Sequence, residues 1–221
     1  MVYLMSYQQN AIQDALKKVR ESKKRNFIES IEILVSLRDI NLKDPSQRFN
    51  LETKVPNPLK KKINLALFAE GDLATKAASA DNITVINKDQ LEQYSKEIKK
   101  AKGLADENDF FLADRQFMPL VGRFFGKVLG PRGKMPKPVP ANVDINSLQD
   151  EYARTIRLRV RENPCINARV ATLENSDQEI VENINSAISS IQGKLPRGSQ
   201  QIRKIYIKST MGPSILLEQA K

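Results

Sequence analysis

The stretch Phe49-Asn50-Leu51-Glu52-Thr53-Lys54-Val55-Pro56-Asn57-Pro58-Leu59-Lys60-Lys61-Lys62-Ile63-Asn64-Leu65-Ala66-Leu67-Phe68 holds a change of period that decides the architecture. Phe49, Leu51, Thr53 and Val55 alternate with Arg48, Asn50, Glu52 and Lys54, the period-two pattern of a half-buried strand that would partner the earlier alternation over Ser30 to Leu37. Pro56 and Pro58 lack the donor that a strand ladder needs, and Lys60, Lys61 and Lys62 repel one another. Pairing therefore stops, and the segment reads as a linker out of a first domain. From Ile63 to Phe68 the chain is mainly apolar, as in a strand covered on both faces.

Ile83 to Ile86 and Phe110 to Ala113 repeat that apolar run, each followed by helix-like sequence, which is the order of parallel βαβ units. Near Arg154 the earlier style returns, with Ile156, Leu158 and Val160 facing one way and Arg157, Arg159 and Arg161 the other. Ser176 with Glu179 makes a capping box ahead of Ile180, Ile184, Ile188 and Ile191, and Gly193 stands where a C-cap belongs. A last alternation sets Arg203, Ile205 and Ile207 against Lys204, Tyr206 and Lys208. Upstream, Ser6 with Gln9 caps a helix bearing Ile12, Ala15, Leu16 and Val19, and Ile31, Ile33 and Val35 alternate with Glu32, Leu34 and Ser36. The expected fold class is α/β with two domains. Residues 1–60 and 155–221 form a discontinuous α+β domain, and residues 61–154 form an inserted Rossmann-like α/β domain. Two linkers passing side by side would make a hinge.

Lys and Arg number 36 against 26 Asp and Glu, a net charge of +10 that favours polyanionic partners, nucleic acid first. An anionic membrane surface would also attract this charge. No run nears the ~18 apolar residues of a span, and no signal pattern opens the chain, so a soluble cytoplasmic protein without membrane association is expected. The single cysteine, Cys165, excludes an internal disulfide and a thiolate metal cluster, and reads as a small buried thiol. With no histidine, the commonest proton shuttle and transition-metal ligand are missing. No catalytic residue, metal or cofactor is expected.

Arg115, Arg123, Lys127, Arg132, Lys134 and Lys137 fall in a segment, 115–143, that has no acidic residue. Its interspersed Gly122, Gly126, Gly130 and Gly133, with Pro136, Pro138 and Pro140, read as a rigid, extended basic loop. Gly133-Lys134 is no phosphate-binding loop, because Val128 replaces the first glycine and Met135 the magnesium-binding hydroxyl. Ala69-Glu70-Gly71-Asp72 likewise lacks the glycines of a dinucleotide fingerprint. Lys23, Lys24 and Arg25 adjoin Asn26 and Phe27, which places cations for phosphates beside an amide and a ring suited to unpaired bases. The same residues equally fit a solvated helix end with Phe27 in the core. Arg157, Arg159 and Arg161 on one strand face, about 7 Å apart, fit compensation by an external anion better than a merely solvated face. Thr210-Met211-Gly212-Pro213 taken alone is an ordinary turn.

Together, Lys24-Arg25-Asn26-Phe27, Leu129-Gly130-Pro131-Arg132-Gly133-Lys134-Met135-Pro136-Lys137-Pro138 and Thr210-Met211-Gly212-Pro213 resemble, in order and spacing, the ribosomal protein L1 family of the mobile side stalk. The Lys-Met-Pro-Lys-Pro form is similar to the archaeal branch. The resemblance implies a split domain gripping large-subunit rRNA and a more weakly attached inserted domain. It implies RNA contacts at Lys24, Arg25, Asn26, Phe27, Ser30, Glu32, Thr210, Met211 and Gly212, joined by Arg159, Arg161 and Asn167, where some bacterial members carry histidine in place of Asn167. Arg123, Lys127, Arg132, Lys134 and Lys137 would form a secondary basic loop. The implied partners are the ribosome, exit-site tRNA and the protein's own mRNA, with a monomer when free. A nucleotide-dependent enzyme built on the middle domain and a nonspecific basic coat are the competing readings.

Overall fold

The computed structural model describes residues 9–23, 25–44, 47–140 and 143–217. In chain order come α1 (Gln9–Glu21), β1 (Ser30–Leu37), β2 (Asn50–Lys54), β3 (Leu65–Phe68), α2 (Gly71–Ala78), β4 (Ile83–Ile86), α3 (Lys88–Lys96), α4 (Ile98–Glu107) and β5 (Phe110–Asp114). They are followed by α5 (Met118–Arg132), β6 (Lys137–Val139), α6 (Ile145–Ala153), β7 (Thr155–Arg159), β8 (Cys165–Thr172), α7 (Asp177–Lys194), β9 (Ile202–Ser209) and β10 (Ile215–Leu217). The chain divides into two compact units, one of Met1–Lys61 with Arg154–Lys221 and one of Lys62–Ala153.

In the split unit β10, β9, β1 and β8 form one antiparallel sheet in that order. Alternation in β1 sends Ile31, Ile33, Val35 and Leu37 into a core shared with Ile12, Leu16 and Val19 of α1 and Ile180, Ile184, Ile188 and Ile191 of α7. The Phe49–Val55 alternation does not lie beside β1, since β2 pairs with β7. The neighbours of β1 are β9 and β8, and in β8, which was not among the expected strands, Ile166, Ala168 and Val170 alternate into the core. A register shift between Ser36 and Leu37 puts Ile202 of β9 on the core face, so Arg203 is exposed instead of aligned with Ile205 and Ile207. The linker also begins later than expected. Val55 and Leu59 are buried, Asn175 Nδ2 donates to Pro58 O, and the buried Asn183 exchanges hydrogen bonds with the Asn57 backbone.

The Ser176 box forms, with Ser176 Oγ accepting from Glu179 N at 3.3 Å and Glu179 Oε2 accepting from Ser176 N at 2.9 Å. Gly193 does not cap α7, which continues to Lys194 and closes on Leu195, because Ile191 and Leu195 are both buried and hold the last turn. The expected cap of α1 at Ser6 lies outside the described residues. In the second unit β4, β3, β5 and β6 form a parallel sheet. Segment 115–143 is not an extended loop, since most of it is α5. Phe117, Val121, Phe125, Val128 and Leu129 recur at helical spacing and are buried, and that burial outweighs about 0.5–1 kcal/mol lost at each glycine. Gly133, at φ 66, ends the helix in the left-handed conformation.

The Ser176 backbone first, then the Asn175 amide and the Lys60 ammonium, hold the Glu179 carboxyl below its ordinary pKa. A depressed carboxyl stabilises the fold above the unfolded value, roughly 4.3, and that contribution fades as pH falls through the folded value. Melting temperatures measured from pH 6 downward should therefore fall less steeply for Glu179→Gln than for the native chain in the acid range, with the two curves parallel near neutrality.

Candidate nucleic-acid interface

At the end of β9 the chain turns through Thr210, Met211 and Gly212, and β1 fixes that turn. Thr210 N donates to Ser30 O at 3.0 Å, and Thr210 Oγ1 lies 3.2 Å from Ser30 O and 3.3 Å from Glu32 Oε1. Glu29, just ahead of β1, is buried and accepts through Oε1 from Met211 N at 2.9 Å and from Ser209 Oγ at 3.2 Å. A carboxylate buried in this way needs such donors, and in return it dictates the path of the turn. A Cβ on Gly212 would stand 2.4 Å from Ser209 Oγ, so only glycine fits without displacing that hydroxyl. Lys208 Nζ closes on Thr210 O at 3.0 Å. What the fixed turn presents is the Met211 side chain, 61% exposed.

Arg25, Asn26 and Phe27 come to the same place. Arg25 Nη2 is 3.4 Å from Met211 O, and Arg25 and Asn26 are exposed. Phe27 is 57% exposed, which settles against a core role. Lys24 lies outside the described residues. Glu32 stands on the outer face of β1 between Arg169 of β8 and Lys208 of β9, and the next row on that face holds Leu34 between Asn167 and Tyr206. Asn167 is exposed beside this site. Sequence reasoning missed Glu29 and Arg169. Arg169 Nε is buried with no hydrogen-bond partner among the described residues. Alternation along Ile166, Ala168 and Val170 would have put Arg169 on the outer face, whereas nothing local distinguishes Glu29 from a surface carboxylate.

Arg159 and Arg161 belong to a different cavity, of about 380 Å³, lined with Arg48 and Phe49 at the ends of β2 and β7. Partial burial, then Arg161 and Arg157, lower the Arg159 pKa. Arg157 does not await an external anion, because Glu52 on the neighbouring strand receives it at 3.1 Å. In the second unit Arg123 and Lys127 are exposed on α5 and Lys137 is exposed on β6, but Arg132 pairs with Asp106 at 3.1 Å. Lys134 Nζ donates to Ala105 O and Asn108 O, both at 2.7 Å. It satisfies carbonyls at the C-terminal end of α4, where a cation also complements the helix dipole. Cys165 is exposed, not buried, because it opens β8 opposite Ser36 on the outer face. Among the described residues no group of three His, Cys, Asp or Glu could hold a metal ion, and no helix is long and apolar enough to cross a membrane. Lys134→Met should cost about 1–3 kcal/mol of stability in denaturant unfolding while leaving the salt dependence of polyanion binding unchanged.

The model of the ribosomal protein L1p/L10e family matches residues 17–213. Similar proteins include the large ribosomal subunit protein uL1 of Methanothermobacter thermautotrophicus, 39% identical over 94% of this chain and 98% of the relative. The protein of the same name from Methanobrevibacter smithii is 40% identical, covering 91% of this chain and 96% of the relative. That of Pyrococcus horikoshii is 39% identical, covering 97% and 98%.

Proposed function

This chain belongs to the ribosomal protein L1p/L10e family, and on that footing we propose that it is a cytoplasmic constituent of the large ribosomal subunit that binds rRNA of the mobile side stalk. The family is one of ribosomal proteins, not enzymes. The observation that carries the reading is the Thr210–Gly212 turn, whose backbone and hydroxyl are engaged by Glu29, Ser30 and Glu32. A shape held in advance loses little freedom on binding, which favours a defined RNA surface over any polyanion. Arg25, with Lys24, supplies phosphate contacts, and Asn26, Phe27, Ser30, Met211 and Gly212 offer the polar and flat contacts suited to RNA grooves and unpaired bases. Phosphates repel Glu32, so it contributes only where a sugar hydroxyl or base amine donates to it. Asn167 extends this surface, and Arg159 and Arg161 act from their own cavity.

The split domain, residues 1–60 with 155–221, carries the rRNA site in this reading. The inserted domain, 61–154, offers Arg123, Lys127 and Lys137 as a secondary basic surface. The protein is a monomer when free, assists release of exit-site tRNA, and represses translation of its own mRNA by applying the rRNA-binding surface to a similar RNA shape. A nucleotide enzyme on the inserted domain is not favoured, because Lys134 Nζ is taken up by the Ala105 and Asn108 carbonyls at the end of α4.

Titration of a side-stalk rRNA fragment at moderate salt tests the proposal. Native affinity should fall about a thousandfold between 50 and 200 mM salt if roughly six phosphates are neutralised. A Thr210→Val, Met211→Ala double variant should keep its fold and its weak electrostatic binding but lose preference for the fragment over duplex DNA. Equal affinity of the native chain for both nucleic acids would identify a nonspecific coat.

A further inference from the structure

Beside the fixed turn the split unit carries a groove of about 450 Å³ lined by Arg20, Arg25, Phe27, Ile28, Leu173 and Glu174. Phe27 and Ile28 are 57% and 60% exposed, two adjacent large apolar side chains in the loop ahead of β1. Scattered exposed apolar residues are ordinary, but these two share one concavity with Leu173. Arg20 cannot swing away from it. Its Nε donates to Asp177 Oδ1 at 2.8 Å, Nη1 to Leu173 O at 3.0 Å and Nη2 to Asn175 O at 2.8 Å. Three bonds in one plane hold the guanidinium as a flat, permanently charged wall. Arg25 joins the groove to the Met211 backbone.

The groove thus combines an open aromatic face, an aliphatic floor, a flat Arg20 guanidinium whose charge is answered by Asp177, the exposed Glu174 carboxylate, and the exposed Arg25 cation at its mouth. A ligand that matches this lining is flat, apolar on its faces and attached to an anion within reach of Arg25 and clear of Glu174. Resting on the RNA-binding reading above, we propose that the groove holds one nucleobase turned out of the bound RNA, stacked on Phe27. Its flanking phosphates lie toward Arg25. Turning a paired base out of a helix costs a few kcal/mol, so the occupant is a base already unpaired in a loop or bulge. Phe27 then discriminates among RNAs by the place of an unpaired nucleotide, whereas the turn discriminates by backbone shape.

The probe is the side-stalk rRNA fragment carrying 2-aminopurine at each unpaired position in turn. One position should change fluorescence on binding the native chain and Phe27→Tyr, and should stay silent with Phe27→Ala. Phe27→Ala should weaken binding about 5- to 150-fold, the equivalent of 1–3 kcal/mol for one stacked base, with the slope against salt unchanged. An abasic residue at the reporting position should produce the same loss in the native chain and no further loss in Phe27→Ala. Full affinity in Phe27→Ala or Phe27→Leu, or no position whose signal depends on Phe27, overturns the proposal, and tolerance of leucine would point to an apolar side chain of a protein. If Thr210→Val weakens binding while Phe27→Ala does not, the groove reading alone falls. If the native chain ignores the fragment, both readings fall. Because Phe27 is exposed, all variants should melt with the native chain.

Discussion

One constraint underlies the split unit, the placement of β1 between β8 and β9. An interior strand must satisfy donors and acceptors on both edges, and here both partners lie more than a hundred residues downstream, Ser30 opposite Thr172 and Ile31 opposite Ser209. The terminal segments therefore fold together, and whatever lies between has to leave the unit and return to it. The same pairing places the loop before β1 against the turn after β9. Glu29 and the Thr210–Gly212 turn meet because the ladder delivers them to one end of the sheet.

Charge is sorted by what each cation can reach. Lys134 and Arg132 look in sequence like the centre of a basic loop, yet both are committed to α4, through its final carbonyls and Asp106. Arg157 is answered by Glu52, and Arg20 by Asp177 and two carbonyls. Arg25, Arg123 and Lys127 remain exposed. A positive total therefore overstates the charge available to a polyanionic partner, which is set by the cations whose neighbours leave them in water.

Polar burial gives the split unit its definition. Asn183 is fully buried and bridges Val170 O, the Asn57 backbone and α7. Asn175 ties Thr172, Pro58 and the Glu179 carboxylate. Each of these amides has its partners, so the residues leading from β2 to the lysine run are held against α7. Alternation and proline placement could not reveal that attachment, because it depends on side chains over a hundred positions away.

Periodicity by itself determined the β1 core face, the Ser176 capping box, the apolar parallel strands and the return of antiparallel style near Arg154, since each is a local matter of 2.0- or 3.6-residue spacing and of capping chemistry. Motif order in the chain likewise marked Arg25, Asn26, Phe27, Thr210, Met211 and Gly212, which the structure gathers at one end of a sheet. Only tertiary structure decided that β8 and not β2 flanks β1, that the glycine-rich basic segment is a helix, that Lys134 closes α4, and that a buried Glu29 shapes the turn. In each of these cases the outcome depends on burial against, or hydrogen bonds to, residues distant in sequence, and neither spacing nor composition encodes which distant partner will arrive.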